Sequence, residues 1–109
     1  MFRPVTETLG VPLDENHGLV EWFDGGAIVV FSFARRGNAL DCHFAANKKA
    51  LRHLRRAFDD FCELVRTEVK WCTMIISINN KDSIERLVKK LGFTYLASDE
   101  DCKAYMRSL

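Results

Sequence analysis

The chain has 109 residues, 48% of them hydrophobic and 11% aromatic, which suits one packed domain and excludes a disordered tail. Sixteen Lys and Arg against fifteen Asp and Glu leave a formal charge of +1, which argues against a dedicated nucleic-acid binder. No apolar run approaches the roughly 18–20 residues of a membrane span, and Met1-Phe2-Arg3-Pro4 opens without a leader pattern, so a cytoplasmic protein is expected. Residues 1–17 hold both prolines, Pro4 and Pro12, with Gly10 and the polar stretch Asp14-Glu15-Asn16. They predict an irregular lead-in, with room for one short strand, ahead of a single domain over 18–109.

Leu19–Phe23 reads as a strand running into Asp24-Gly25-Gly26, a strong hairpin signal because these residues tolerate positive φ. Ala27–Ala34 is apolar on both faces and predicts a central strand. Arg35-Arg36-Gly37-Asn38 turns the chain into a third strand, Ala39–Ala45. Asn47 is placed to cap a helix, along which Ala50, Leu51, Leu54, Ala57, Phe58, Phe61 and Val65 recur at helical spacing to about Arg66 or Glu68. Trp71–Ile78 reads as a fourth strand. A second helix, capped by Asn80 or Asp82, turns Ile84, Leu87, Val88 and Leu91 inward and stops at Gly92. Phe93–Ala97 and Lys103–Met106 form a last hairpin around Ser98-Asp99-Glu100-Asp101.

The order is β-β-β-α-β-α-β-β, an α+β (mixed α/β) class in which the strand–helix–strand unit from Ala39 to Ile78 imposes one parallel pair. The four cysteines, Cys42, Cys62, Cys72 and Cys102, form no Cys-x-x-Cys, so no metal is expected and four buried thiols are. Trp22, Trp71 and the phenylalanines read as core.

Asn80-Lys81-Asp82-Ser83, continuing to Lys90-Leu91-Gly92-Phe93, resembles the Asn-x-x-Ala/Ser…Lys-x-Gly-Phe signature of the GNAT superfamily of acetyl-CoA-dependent N-acetyltransferases. His43-Phe44-Ala45-Ala46 followed by a basic helix is also similar to small phage-encoded GNAT-like proteins. The resemblance spans about residues 18–108, without counterparts of the usual first strand and first helix pair. It implies a mixed sheet whose parallel strands splay to admit the pantetheine arm of acetyl-CoA. The pyrophosphate would then sit at the start of the following helix. Carried over by position, the cofactor-binding candidates are Phe44, Ala45, Ala46, Lys48, Lys49, Ala50, Asn80 and Ser83.

Two positions depart from the family pattern. Where it has a glycine-rich loop, this chain reads Ala46-Asn47-Lys48-Lys49-Ala50. Lys48, Lys49 and Arg52 could supply cations to phosphates there, or simply form a solvated helix face. Where the family often has a tyrosine acid, this chain has Val88 or Leu87. Asp41 and His43 alternate onto one strand face and are the candidate bases, with histidine's ordinary titration range suited to the task; His17 and His53 have weaker claims. Asn79 and Asn80 could bind the pantetheine arm or cap the next helix.

Two functions emerge as expectations. One is acetyl transfer from acetyl-CoA to an amine by a GNAT-fold protein of phage or mobile-element origin. The other is a non-catalytic descendant of that fold, a virion component or an inhibitor, acting through a protein partner or self-association at the cleft or at the terminal hairpin Phe93–Met106. Its place would be the host cytoplasm or the virion. Nucleic-acid binding through the Lys48–Arg56 face lacks interleaved aromatics, and no membrane association is expected.

Overall fold

Gly25 and Gly26 adopt φ of +53° and +93°, so the Asp24-Gly25-Gly26 turn forms where the sequence places it. The computed structural model describes residues 1–11 and 16–109; Pro12 and the Asp14-Glu15 pair lie outside the described residues. Around that turn are β2 (Gly18–Asp24) and β3 (Ala27–Arg36), preceded by β1 (Phe2–Arg3) and followed by β4 (Ala39–Ala46). Then come α1 (Leu54–Glu68), β5 (Met74–Asn79), α2 (Asp82–Lys90), β6 (Thr94–Ser98) and β7 (Lys103–Ser108). The seven strands form one sheet in the order β1-β2-β3-β4-β5-β7-β6, with β4–β5 the parallel pair and every other neighbour antiparallel.

The core lies between this sheet and α1. Leu54, Ala57, Phe58, Phe61, Cys62 and Val65 are the buried stripe of the helix. Phe61 stacks on Phe31 at 4.2 Å between ring centroids, and Phe58 meets Phe31 and Phe44 edge-on at 5.0 and 4.9 Å. These contacts pin β3 and β4 to the helix, and truncating such a ring costs about 3–5 kcal/mol. Trp22 is fully buried and its Nε1 donates to Asp60 Oδ2 at 2.8 Å, which satisfies the indole.

The sheet's other face carries a feature the sequence hides. Glu21 on β2 is fully buried, paired with Arg3 and accepting from the backbone N–H and hydroxyl of Thr6. Burial pushes its carboxyl up, but Arg3 and Thr6 outweigh burial and hold it below the ordinary range. Residues 2–6 are thus tied to the sheet, with Phe2 opposite Trp22 in the β1–β2 register.

Four local expectations are corrected. The helix after Asn47 opens as a 3₁₀ segment, Lys48–His53, before becoming α-helical at Leu54. The fourth strand begins at Met74, and Trp71 is a turn residue, 36% exposed, with the Arg35 guanidinium 4.0 Å over its ring. Neither Asn80 nor Asp82 caps α2: Lys81 holds the N-cap position without a side-chain cap bond. Cys102 is only half-buried, unlike Cys42, Cys62 and Cys72.

Candidate functional site

β4 and β5 pair over three residues only, Ala39 with Met74, Leu40 with Ile75 and Asp41 with Ile76. Beyond that fork each strand stays with its outer neighbour, β4 with β3 as far as Ala46 and β5 with β7 as far as Asn79. The backbone groups facing the gap are set by ladder alternation. Asn47 N–H donates to Ile28 O at 3.0 Å, which marks a hydrogen-bonded position at that end of the β3–β4 ladder. Ala45 and His43 therefore bond to β3, while Phe44 and Ala46 turn their N–H and C=O toward β5. Leu109 N–H donates to Thr73 O at 3.1 Å, so Ser77 and Asn79 bond to β7 and Ile78 faces β4.

Between the diverging strands lies a cleft of about 300 Å³. It is lined by residues 42–44 of β4, residues 77–79 of β5, and Asn80, Lys81 and Ile84. Of the candidates carried over from the family, Phe44 and Asn80 line it, as does the candidate base His43. Ala45 and Ala46 continue β4 past it, and Ser83 is exposed on the first turn of α2. Cys42, Ser77, Ile78, Lys81 and Ile84 line the cleft too, although the sequence marks none of them as a site residue. Ladder parity around Phe44 was the available signal for Cys42. Asn79 brings a polar group here: its Nδ2 is buried and has no hydrogen-bond partner in the structure.

Asp41 sits at the fork, its Oδ2 accepting from Arg36 Nη2 at 3.1 Å. Its Oδ1 is buried without a hydrogen bond and lies 3.9 Å from His43 Nε2, so the two candidate bases are neighbours but not bonded. The His17 ring lies 6.0 Å from that of His43, whereas His53 packs beside Trp22 at 6.5 Å, on the helix side. Burial, reinforced by the Asp41 charge, pushes the Cys42 thiol far up, which keeps it protonated and removes it as a nucleophile.

At the helix start Asn47 is fully engaged. Its Oδ1 accepts from Ile28 N–H at 3.0 Å and Ala50 N–H at 3.1 Å, and its Nδ2 donates to Gly26 O at 2.8 Å. The Ala50 amide, a candidate phosphate donor, is therefore already occupied. Lys48 and Lys49 are exposed, and a Cβ built on Gly26 would meet Lys49 Nζ at 3.4 Å, which places that ammonium by the β2–β3 turn.

Val88 is fully buried and Leu87 packs against the core, so α2 offers no acid at either position. The buried phenol beside this helix is Tyr105, on β7. Its hydroxyl donates to Glu85, and burial together with that carboxylate pushes its pKa up to about 12. Glu85 in turn is drawn down to about 2 by Tyr105, Lys89 and Lys103, the lysines at 3.2 and 3.3 Å. This phenol is committed to structure. Among the described residues, no group of three His, Cys, Asp or Glu side chains is placed to hold a metal ion. No described helix is long and apolar enough to cross a membrane.

No protein-family model and no curated protein matches this chain by sequence. A solved structure does match: an acetyltransferase of Bacillus subtilis in complex with CoA, with a TM-score of 0.67 at 16% identity. The match covers 87% of this chain and 78% of that one. At such identity the likeness speaks to the fold alone. The chain has a GNAT-like fold, a mixed α+β sheet with one parallel, splayed strand pair.

Proposed function

We propose that the chain binds a CoA thioester, acetyl-CoA, in the β4–β5 cleft and passes its acetyl group to an amine. The observation that carries this reading is the fork at Asp41 and Ile76, which leaves Phe44, Ala46 and Ile78 without a strand partner across the gap. Pantetheine is an extended chain with two amides, chemistry that such an edge can meet as a strand would. Asn79, its Nδ2 buried without a partner, adds a side-chain donor on the facing wall. The solved neighbour, bound to CoA, supports the same ligand class.

Acetyl-CoA supplies an acyl group already activated as a thioester, so the chain's own task is to position it and to move one proton. His43 lines the cleft just past the fork and is the group to take that proton from the incoming ammonium. Asp41, 3.9 Å away, would stabilise the imidazolium that results. Phosphate recognition falls to the exposed side chains of Lys48 and Lys49, since Asn47 already holds the Ala50 amide. With Leu87 and Val88 where the family often has an acid, the departing thiolate takes its proton from water.

The occupied Ala50 amide and the missing acid on α2 favour a second reading, in which the cleft binds without turnover and the protein works as a non-catalytic partner-binding module, of phage origin or otherwise. Calorimetry with acetyl-CoA and CoA tests the binding that the first reading requires. Micromolar affinity is expected, and silence at millimolar ligand would overturn it. Release of free CoA thiol in the presence of amines then separates transfer from binding alone.

A further inference from the structure

We propose that two copies of this chain join through β6, edge to edge and antiparallel about a two-fold axis, to continue the sheet across the pair. This stands apart from the acyl-CoA reading and survives its failure.

β6 is the outer strand of the sheet, and all five of its residues are exposed. Natural sheet edges are blunted by charge, proline, short length or a bulge, and β6 has only its five-residue length and the irregularity at Leu96. Thr94-Tyr95-Leu96-Ala97-Ser98 has neither charge nor proline, and leaves Tyr95 56% and Leu96 46% exposed. The opposite edge, β1, has only two residues and its Arg3 is held by Glu21, so it offers no comparable template.

The hydrogen-bonding pattern of β6 is self-complementary. Asp99 N–H donates to Cys102 O at 3.0 Å, which fixes the parity of the hairpin. Ala97 opposite Ala104 therefore spends its backbone groups on β7, and beyond the irregularity at Leu96 so does Thr94 opposite Met106. Tyr95 and Ser98 are left facing outward. Leu96 and Ala97 together occupy one ladder position, so a two-fold axis through them sets Tyr95 against the partner's Ser98 and Ser98 against the partner's Tyr95. Both outward pairs then close in the same register. Tyr95 and Ser98 already share a face, their hydroxyls 2.7 Å apart.

Charge selects a second copy over an unrelated strand. Asp99, Glu100 and Asp101 lie just past one end of β6. At the other end Lys89 and Lys90 close α2, and Arg55 and Arg107 donate to Lys90 O and Leu91 O at 3.1 and 3.0 Å. Lys89 pairs with Glu85 and both arginines share Asp59, so these four cations outnumber their two carboxylates and the end stays basic. Antiparallel pairing lays each acidic turn beside the partner's basic end, twice in one interface.

Sedimentation across micromolar to millimolar chain concentration should show a reversible dimer. Ser98→Pro removes an outward N–H and an exposed hydroxyl contact with Tyr95 but no bond to β7, so it should yield a monomer with unchanged far-UV circular dichroism. Glu100→Lys with Asp101→Lys should weaken the dimer about tenfold at low salt. A register test covers the case in which the proline variant fails to fold. A Tyr95→Cys chain mixed with a Ser98→Cys chain should form the mixed disulfide, because facing Cα atoms of such a pair lie about 5.5 Å apart. A monomer throughout, a dimer that persists in folded Ser98→Pro, or a mixture that cross-links no better than either variant alone would each overturn the proposal.

Discussion

Asn47→Ala should destabilise the domain by about 2 kcal/mol. The side chain makes three hydrogen bonds, and they differ in worth. Its Oδ1 accepts from Ile28 N–H and Ala50 N–H, both part-buried, and each such bond contributes about 1 kcal/mol net. The Ala50 bond is the helix cap, for which losses of about 0.5–2 kcal/mol are usual. The bond from Nδ2 to Gly26 O is exposed, and water replaces it at little cost. For a domain of about 100 residues the sum corresponds to a melting temperature lower by roughly 8–16 °C. Equilibrium urea unfolding followed by circular dichroism reads the change as a shift in midpoint at constant slope. Asn47→Asp keeps the acceptor and loses only the Gly26 contact, so it should stay within about 1 kcal/mol of the parent. If Asn47→Ala loses less than about 0.5 kcal/mol, or Asp fares no better than Ala, Asn47 does not join the β2–β3 turn, β3 and the helix start as described.

Gly92→Val should cost on the order of 1–3 kcal/mol through backbone strain alone, since φ there is +93° and an added Cβ would meet nothing closer than 3.5 Å. Co-melting of this variant with the parent would contradict the left-handed stop after α2. Glu85, drawn down to about 2, lends stability that is fully present above its unfolded value of 4.5 and is lost as pH falls toward about 2. Tyr105, raised to about 12, lends stability present below 10 and lost as pH climbs through about 12. Urea midpoints across pH should fall on both limbs, and Glu85→Gln should flatten the acid limb; an unchanged acid limb would reassign it to Glu21 and Asp59, whose carboxyls are also held low. Lys48→Glu with Lys49→Glu should weaken CoA binding about tenfold at low salt with little change in melting temperature, because both side chains are exposed. Equal affinities would remove this helix end from the site.

Much of the fold is legible because local chemistry and topology agree. Gly25, Gly26 and Gly92 stand where positive φ is needed, Asn47 caps the helical segment that begins at Lys48, and Phe58, Phe61 and Val65 keep helical spacing. The parallel pair is dictated by strand, helix and strand in succession. The features that escape notice depend on partners distant in sequence. Glu21 carries no local sign of burial, and its partners Arg3 and Thr6 stand far upstream in the chain. Trp71 reads as core by its size, yet it lies in the turn before β5 under Arg35. In the site, His43, Phe44 and Asn80 could be named from position, whereas Ile84 and Lys81 join the cleft only through the way α2 docks beside β5. The occupation of the Ala50 amide by Asn47 was visible as a cap, but its consequence for phosphate binding needed the bond itself.

Backbone amide chemical shifts, followed as CoA is titrated into the labelled protein, report residue by residue where the pantetheine arm lies. If the cleft receives the pantetheine arm, the largest shifts fall on Phe44, Ala46 and Ile78, whose N–H groups face the gap, and on the Asn79 side-chain amide. Shifts confined to the basic face of α1, or none at millimolar CoA, would contradict binding of the arm between β4 and β5.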